Sequence, residues 1–472
     1  MSFFIKGKGK SKPKSSKPPG GKRKSDLSAY PLKKKKFRGA DEEIESDSDV
    51  GEDDIQEKIY SSSEEEEETA QEKKLRLAKH YIAQIEAEES GNILAEDVDR
   101  DVISKRLKQD MLLQTGKLQK KVADNLETVN ADSHILFRGH QLSVTCVVIS
   151  TDSQYVYSGG KDCSIIKWSV KERRKLKMIH GGRKGTEKKH VGHTGHILAM
   201  AISTDGNYLA TGDADKLIHL WDAGTMELIY TFKGHRDAVT GLSFRKDTHE
   251  LYSCSDDRSV KIWNVDERAY VETLFGHQDK ITAIDCLSRE RAITAGGRDS
   301  TVRVWKILEE SQLVFNAHKL CSVDCIALIN ESNFISGADD NSLSLWGAMK
   351  KKPLFTLRNV HGPKQADENG NQRQSEEENW ISAVAALHNT DLVASAGSKD
   401  GCVRLWKCMN DCRKLEPVMA IPVVGFVNSL HFSTDGQYLV AGVGQEHRLG
   451  RWWSNKAAKN SILVIPLKFI VT

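Results

Sequence analysis

The chain has 472 residues, 39% of them hydrophobic, and a net charge of only +3 from 69 Lys+Arg against 66 Asp+Glu. That length holds one large domain and a substantial extension. No stretch reaches the eighteen or so consecutive apolar residues of a membrane span, and the lysine-rich N-terminus argues against a secretory signal, so an intracellular protein is expected.

The small net charge conceals segregation. Residues 1–40 hold fourteen Lys/Arg against the single Asp26, and residues 41–68 hold fifteen Asp/Glu against the single Lys58. The basic tail has few large apolar groups to offset the entropy of ordering, and disorder is expected there and in the acidic block. Its clusters, Lys22, Arg23, Lys24 and then Lys33, Lys34, Lys35, Lys36, resemble a bipartite nuclear-import signal. The other reading is a solvated arm with nonspecific affinity for nucleic acid. In the acidic block Ser46, Ser48, Ser61, Ser62 and Ser63 are followed by acids, the pattern of acidophilic kinase substrates, where phosphorylation adds further negative charge.

Thr69-Ala70-Gln71-Glu72 reads as a capping box that starts a helix running to about Glu89, with Leu75, Ala78, Ile82 and Ile85 on one face and Gly91 as its stop. A second helical pattern runs from about Glu96 to Val122. Neither carries enough apolar surface for a core of its own. Residues 69–125 are therefore expected to dock on the rest of the chain, on RNA or on another protein.

From residue 134 the sequence repeats itself. A Gly-His or equivalent loop is followed twenty-eight positions later by Trp: His140 to Trp168, His193 to Trp221, His235 to Trp263, His277 to Trp305 and His318 to Trp346. Six positions before each Trp stands an Asp, at Asp162, Asp215, Asp257, Asp299, Asp340 and, in a sixth copy ending at Trp406, Asp400. Between these marks apolar and polar residues alternate and Gly, Asp, Ser and Asn cluster, the pattern of half-buried strands joined by tight turns. Each copy is then a small antiparallel sheet that cannot bury both faces alone, and the copies must stack. The period of about 40–45 residues with His and Trp as punctuation resembles the blades of WD40 β-propellers.

A seventh copy, Phe426 to Trp453, keeps the segment VNSLHFSTDG but has Val423 where the histidine is due, and one of Trp452 and Trp453 is expected to be its blade tryptophan. The expected fold is all-β, a monomeric seven-bladed propeller over residues 134–472. Its closing strand comes either from His134-Ile135-Leu136-Phe137, which is favoured, or from Ile462 to Pro466, whose proline suits an edge.

In WD40 proteins, which these residues resemble, the loop His, the turn Asp, a Ser/Thr and the Trp form a buried hydrogen-bonded chain. Ser158, Thr211, Ser253 and Ser336 stand ten residues before their tryptophans, whereas Ala295 and Ala396 break the pattern. The set reads as bracing rather than catalysis, because a hydrolase carries one distinctive constellation and not the same one around a ring. No Gly-rich phosphate loop or isolated nucleophile-base pair stands out, so an enzyme is not expected. Nine cysteines lie mostly in strand-like segments; Cys321/Cys325 and Cys408/Cys412 lack the second pair that zinc needs. All nine read as thiols, with no metal and no cofactor.

The His loops and Asp turns must share one face. Beside them stand Lys161, Lys216, Arg258, Arg298 and Lys399, with Arg236 and Lys319 from the loops. Such a ring attracts polyanions. Asp213, Asp256 and Asp339 fall on the same face, and a plain charged rim is the alternative. Twenty-four residues separate Trp168 from His193, against thirteen after Trp221 and after Trp263, and the excess is basic, including Arg174, Lys184 and Lys188. An acidic insert, Gly362 to Asn379, precedes the sixth blade. The segment Gln445 to Trp453 departs most from the repeat. Its His447, Arg448, Arg451 and paired tryptophans suit phosphate contacts and base stacking, or equally a braced loop.

Several stretches are more specific than repeat punctuation: TAQEKKLRLAKHYIAQIEAEE, RGHQLSVTCVVIS, KDCSIIKWSV, YVETLFGHQD, AGGRDSTVRVWKILEESQLVF and AGVGQEHRLGRWW. From about Thr69 onward they resemble the vertebrate U3 small nucleolar RNA-interacting WD-repeat family of the small-subunit processome. The resemblance implies a non-catalytic subunit of the U3 ribonucleoprotein in the nucleus and nucleolus. It implies that the subunit joins the box B/C region of U3 RNA after a small kink-turn-binding protein, together with other processome proteins. It implies a part in processing the ribosomal RNA precursor toward 18S rRNA. The rival class, a substrate receptor of a ubiquitin ligase, typically carries Trp-Asp-x-Arg after a blade. Here Ser-Val-Lys, Asp-Ala-Gly and Asn-Val-Asp follow the first three tryptophans.

Overall fold

The computed structural model describes residues 70–92, 100–129, 133–183, 185, 190–317, 321–362, 379–410, 412–451 and 454–470. The expected import signal, the serines of the acidic block, Thr69, Lys184, Lys188, His318, Lys319, most of the acidic insert and the pair Trp452-Trp453 lie outside these residues.

The alternating segments form seven four-stranded antiparallel sheets. In six of them the strands follow one another from the innermost to the outermost, as in Val144–Ile149, Tyr155–Gly160, Ile165–Ser169 and Arg174–Ile179 of blade 1. Each inner strand lies beside that of the next blade, and Phe426–Phe432 of blade 7 returns beside Val144–Ile149. The ring is therefore closed. Apolar side chains of adjoining sheets make the core between blades: Ile149, Trp168 and Val170 of blade 1, for instance, pack with Val440, Ile462 and Val464 of blade 7.

The seventh blade differs from the sequence expectation. Its third strand is Ser461–Pro466, not the segment holding the paired tryptophans, and Ile465 faces Leu439 where Trp168 faces Val156 in blade 1. The fourth strand is Ile135–Arg138, paired with Ser461–Pro466 through Ile135 to Val464 and Phe137 to Ile462. The two segments weighed as alternative closures are thus neighbours in one sheet, and the N-terminal one is outermost. The repeat spacing failed here because a long connection replaces the short turn between second and third strands.

Every inner strand carries an irregularity near its start, between Val144 and Cys146, Ile197 and Ala199, Val239 and Gly241, Ile281 and Ala283, Val323 and Cys325, Ile381 and Ala383, and Val427 and Ser429. A bulge turns the extra residue out of the ladder and re-aims its side chain. Five of these residues use that freedom to reach the next blade. Thr145 donates to the Ile197 carbonyl, Thr240 to Ile281, Thr282 to Val323, Ser382 to Val427 and Asn428 to Val144. In the other two blades the position holds Leu198 and Asp324.

Four blades show the expected brace complete. In blade 1, His140 bonds Asp162 at 3.1 Å and Ser158 at 2.8 Å, and the Trp168 indole donates to Ser158 at 2.9 Å. Blade 3 repeats it with His235, Asp257, Ser253 and Trp263. In blade 4 the hydroxyl comes from Thr294, 2.7 Å from His277 and 2.8 Å from the Trp305 nitrogen, so Ala295 is no gap. Blade 6 likewise uses Ser395 rather than Ala396, and His361, which the spacing rule missed, bonds Ser395 and Asp400. Both hydroxyls lie eleven residues before their tryptophan instead of ten, because the intervening turn is one residue longer.

Blade 2 departs in another way. His193 bonds Asp213, not Asp215, at 2.8 Å, and Asp215 instead accepts from the Thr194 hydroxyl at 2.8 Å. In blade 5 the Trp346 indole donates to Ser336 at 2.8 Å.

The helices are α1, Ala70–Asn92, and α2, Arg100–Gln114. The second is shorter than the sequence pattern because Gly116, at φ +69°, ends it: Gly116 N–H bonds Leu113 O and Lys117 N–H bonds Leu112 O. This is a left-handed cap, for which glycine is suited. Beyond it the chain becomes a strap over blades 5, 6 and 7. Lys120 exchanges backbone bonds with Asn389 and Asp391, the Asp391 carboxylate accepts from Val122 and Ala123 N–H, and Glu127 N–H reaches Lys468 O.

Candidate nucleic-acid interface

The His loops and Asp turns do share one face, here the histidine face. The acids of the braces are not available to a ligand. Although burial pushes the Asp162 carboxyl up, the His140 hydrogen bond and charge and the Ser164 hydroxyl hold it down at about 2. Asp257 and Asp299 are held below the usual range by His235 and His277 against the same burial. Asp213 is fully buried, so it is no part of the exposed rim. His193, Asp213 and His219 approach closely enough to hold an ion. Both His193 nitrogens, however, are engaged by Asp213 and Thr211, and His219 Nδ1 bonds Thr231 at 2.8 Å. The cluster is chemically a brace.

The predicted contact residues divide into three groups. Arg236, Arg258 and Arg298 stand exposed on the loops and turns of blades 3 and 4. Their backbones are fixed: Arg236 N–H bonds Asp257 at 2.8 Å, Arg298 N–H bonds Asp279 at 3.1 Å, and Arg258 takes φ +66° in its turn. No carboxylate among the described residues pairs with these three guanidinium groups. Lys216 is exposed beside them and donates to the Arg236 carbonyl. Asp256 of the same rim is neutralised by Lys280 at 2.8 Å.

The second group is committed to the protein itself. Lys161 is buried, its Nζ 3.6 Å from Glu446 and bonded to Gly450 O at 3.3 Å. Arg451 meets the same Glu446 at 3.2 Å while leaving 69% of its side chain exposed. Arg448 points into the axis of the ring. Its Nη2 donates to Asp324 O of blade 5 at 3.1 Å, and its charge bears on the thiols of Cys146, Cys254 and Cys325 from blades 1, 3 and 5. The His447 ring meets Trp380 edge-on at 5.6 Å. These contacts brace the loop from Gln445 to Arg451. Lys399 is half-buried in the blade 6 turn.

Arg174 forms the third group. It opens the outer strand of blade 1, paired with Ser169, while Ile179 pairs with Ile165 just after the Asp162 turn. Arg174 therefore sits at the far end of the blade from the histidine face. Part of the supposed basic insert is simply the fourth strand that every blade needs, and its alternation is hidden because an edge strand buries neither face fully.

The fold defines a WD40 β-propeller, with Arg236, Arg258 and Arg298 exposed on its histidine face among the acids Asp237, Asp256 and Asp279. Residues 132–169, 186–222, 226–264, 268–306, 309–347 and 371–407 match the family described as WD domain, G-beta repeat, leaving the divergent seventh blade unmatched. The chain is 57% identical to human U3 small nucleolar RNA-interacting protein 2 over 401 residues, 85% of this chain and 82% of that protein, and it belongs to that family. The mouse protein of the same name is 57% identical with the same coverage, and Ribosomal RNA-processing protein 9 of Saccharomyces cerevisiae is 26% identical over 89% of this chain and 94% of its own. The solved structure of U3-55K, 57% identical, superposes with a TM-score of 0.67 over 72% of this chain and 100% of its own. That of the RRP9 WD40 repeats, 55% identical, gives 0.68 over 73% and 100%.

Proposed function

We propose that this chain is a non-catalytic RNA-binding subunit of the U3 small nucleolar ribonucleoprotein, acting in ribosomal RNA processing toward 18S rRNA in the nucleolus. The names of its relatives support the particle and the process. The observation that carries the RNA contact is the sector of Arg236, Arg258 and Arg298, exposed, without carboxylate partners among the described residues, and mounted on turns fixed by the braces. Guanidinium groups carried on fixed turns neutralise phosphates and release counterions. Recognition of the box B/C region after a kink-turn-binding protein, and docking of other processome proteins, belong to the same proposal.

The test is Arg258→Glu with Arg298→Glu, titrated against a U3 box B/C fragment across a salt series. Removing two phosphate contacts should weaken binding ~10-fold or more and flatten the slope of log K against log salt by about 2. Unaltered affinity and slope in a folded variant would reject the arginine sector as the RNA site.

A further inference from the structure

We infer that the outer wall of blade 1 is a second RNA-phosphate surface, so that a strand held on the histidine face continues down the side of the ring. The inference rests on the RNA reading of that face. Between Lys171 and Lys177 every residue is exposed, and five are cations: Lys171, Arg173, Arg174, Lys175 and Lys177. Glu172 is the one acid among them, and Arg174 takes it at 2.6 Å.

Lysines on an outer strand can serve merely to block edge-to-edge pairing. That need exists on every blade, yet the outer strands of blades 2, 3 and 4 together expose a single cation, Lys233, beside Tyr230, Tyr270, Val271, Phe275, Ser311 and Gln312. Blade 5 exposes Lys350, Lys351 and Lys352, but only at one end of its strand. The density along blade 1 therefore exceeds what edge protection requires.

The wall is also continuous with the histidine face. The strand Arg174–Ile179 climbs to the Asp162 turn, and the chain emerges there as Gly182, bonded to His193 O, and exposed Arg183. Six strand residues at roughly 3.4 Å each span about 20 Å, room for several phosphates of one strand. An acidic protein would be the other polyanion. Protein docking needs buried apolar anchors, and Leu176, 41% exposed, is the only large aliphatic residue from Lys171 to Lys177.

The experiment uses the full chain and two U3 fragments, of about 8 nucleotides to fill one surface and about 25 to fill both. Lys171→Glu with Lys175→Glu should weaken the long RNA ~10-fold or more and lower its salt slope by about 2, leaving the short RNA unchanged. Lys171→Gln with Lys175→Gln, matched in melting temperature to the parent, should act in the same direction and guards against misfolding. Long-RNA binding indifferent to both variants overturns the inference, as does parental binding no tighter for the long RNA than the short. If the blade 3 and 4 arginine variant also leaves both RNAs unaffected, the RNA reading of the histidine face fails as well. Displacement of the short RNA alone by polyglutamate, with the wall variants indifferent, likewise counts against the wall.

Discussion

Replacing Ser395 by Ala tests the brace where the sequence spacing misplaced it. The Ser395 hydroxyl is fully buried, accepts from the Trp406 indole at 2.9 Å and bonds His361 Nε2 at 2.8 Å. Since His361 Nδ1 faces the Asp400 carboxylate, Nε2 is the acceptor and Ser395 the donor to it. Ser395→Ala strands an indole N–H and an imidazole nitrogen in the core, each a loss of about 1–3 kcal/mol, so about 2–6 kcal/mol together. Unfolding entropy near 2.1 cal/mol/K per residue gives roughly 0.7 kcal/mol/K for a propeller of roughly 340 residues, hence a melting point lower by about 3–9 °C. Calorimetry and urea titration measure both numbers. Ser395→Thr should stay within about 1 kcal/mol of the parent, because Thr211 and Thr294 do the same work in blades 2 and 4. Adding Ala396→Ser to Ser395→Ala should not rescue, as successive strand residues point to opposite faces. Rescue by that double variant, or a single-variant loss under about 0.5 kcal/mol, refutes the reasoning.

Stability should also fall with pH in two stages. Burial, aided by His193, lowers His219 to about 3, and burial, aided by His388, lowers His431 to about 4. Unfolded histidines titrate near 6.5, so the unfolded chain gains protons first and urea midpoints should decline from pH ~6.5 downward. Asp162, held at about 2, adds a second loss below pH ~4, where unfolded carboxylates protonate first. Midpoints that stay flat from pH 7 to about 3 contradict this. In thiol titration of the native protein, Cys163 and Cys402, which are half-buried, should react before the seven buried cysteines, among them Cys146, Cys254 and Cys325, whose thiols burial raises to about 12. Equal rates for all nine would mean the blades open readily. Asp391→Ala removes the acceptor of Val122 and Ala123 N–H and should cost about 2–4 kcal/mol. Limited proteolysis should then cut within residues 117–129 faster than in the parent, and an unchanged cleavage rate there would show that Asp391 does not hold the strap.

Much of this protein is written locally. The distances from His140, His193, His235 and His277 to their tryptophans, with alternating apolar residues between, marked out four of the sheets, because a buried brace demands its members at set places along a short antiparallel path. What crosses between distant segments was invisible. His361 lies forty-five residues before Trp406, since the acidic insert intervenes. Thr294 and Ser395 were displaced by one residue in a turn, and Asp213 replaced Asp215 because side-chain reach, not sequence offset, decides which carboxylate meets the imidazole. The bulges that turn Thr145 and Thr240 toward the next blade depend on strand pairing.

Charge shows the same limit most plainly. Arg258, Arg448 and Arg174 look alike in the sequence, yet one stands in solvent, one runs into the axis beside Asp324, and one lies on the opposite end of blade 1. A periodic sequence sets what each strand buries against its neighbours, while the position of a cation on the finished ring depends on closure, which joins residues 135–138 to 461–464 and exists only once all seven sheets are in place.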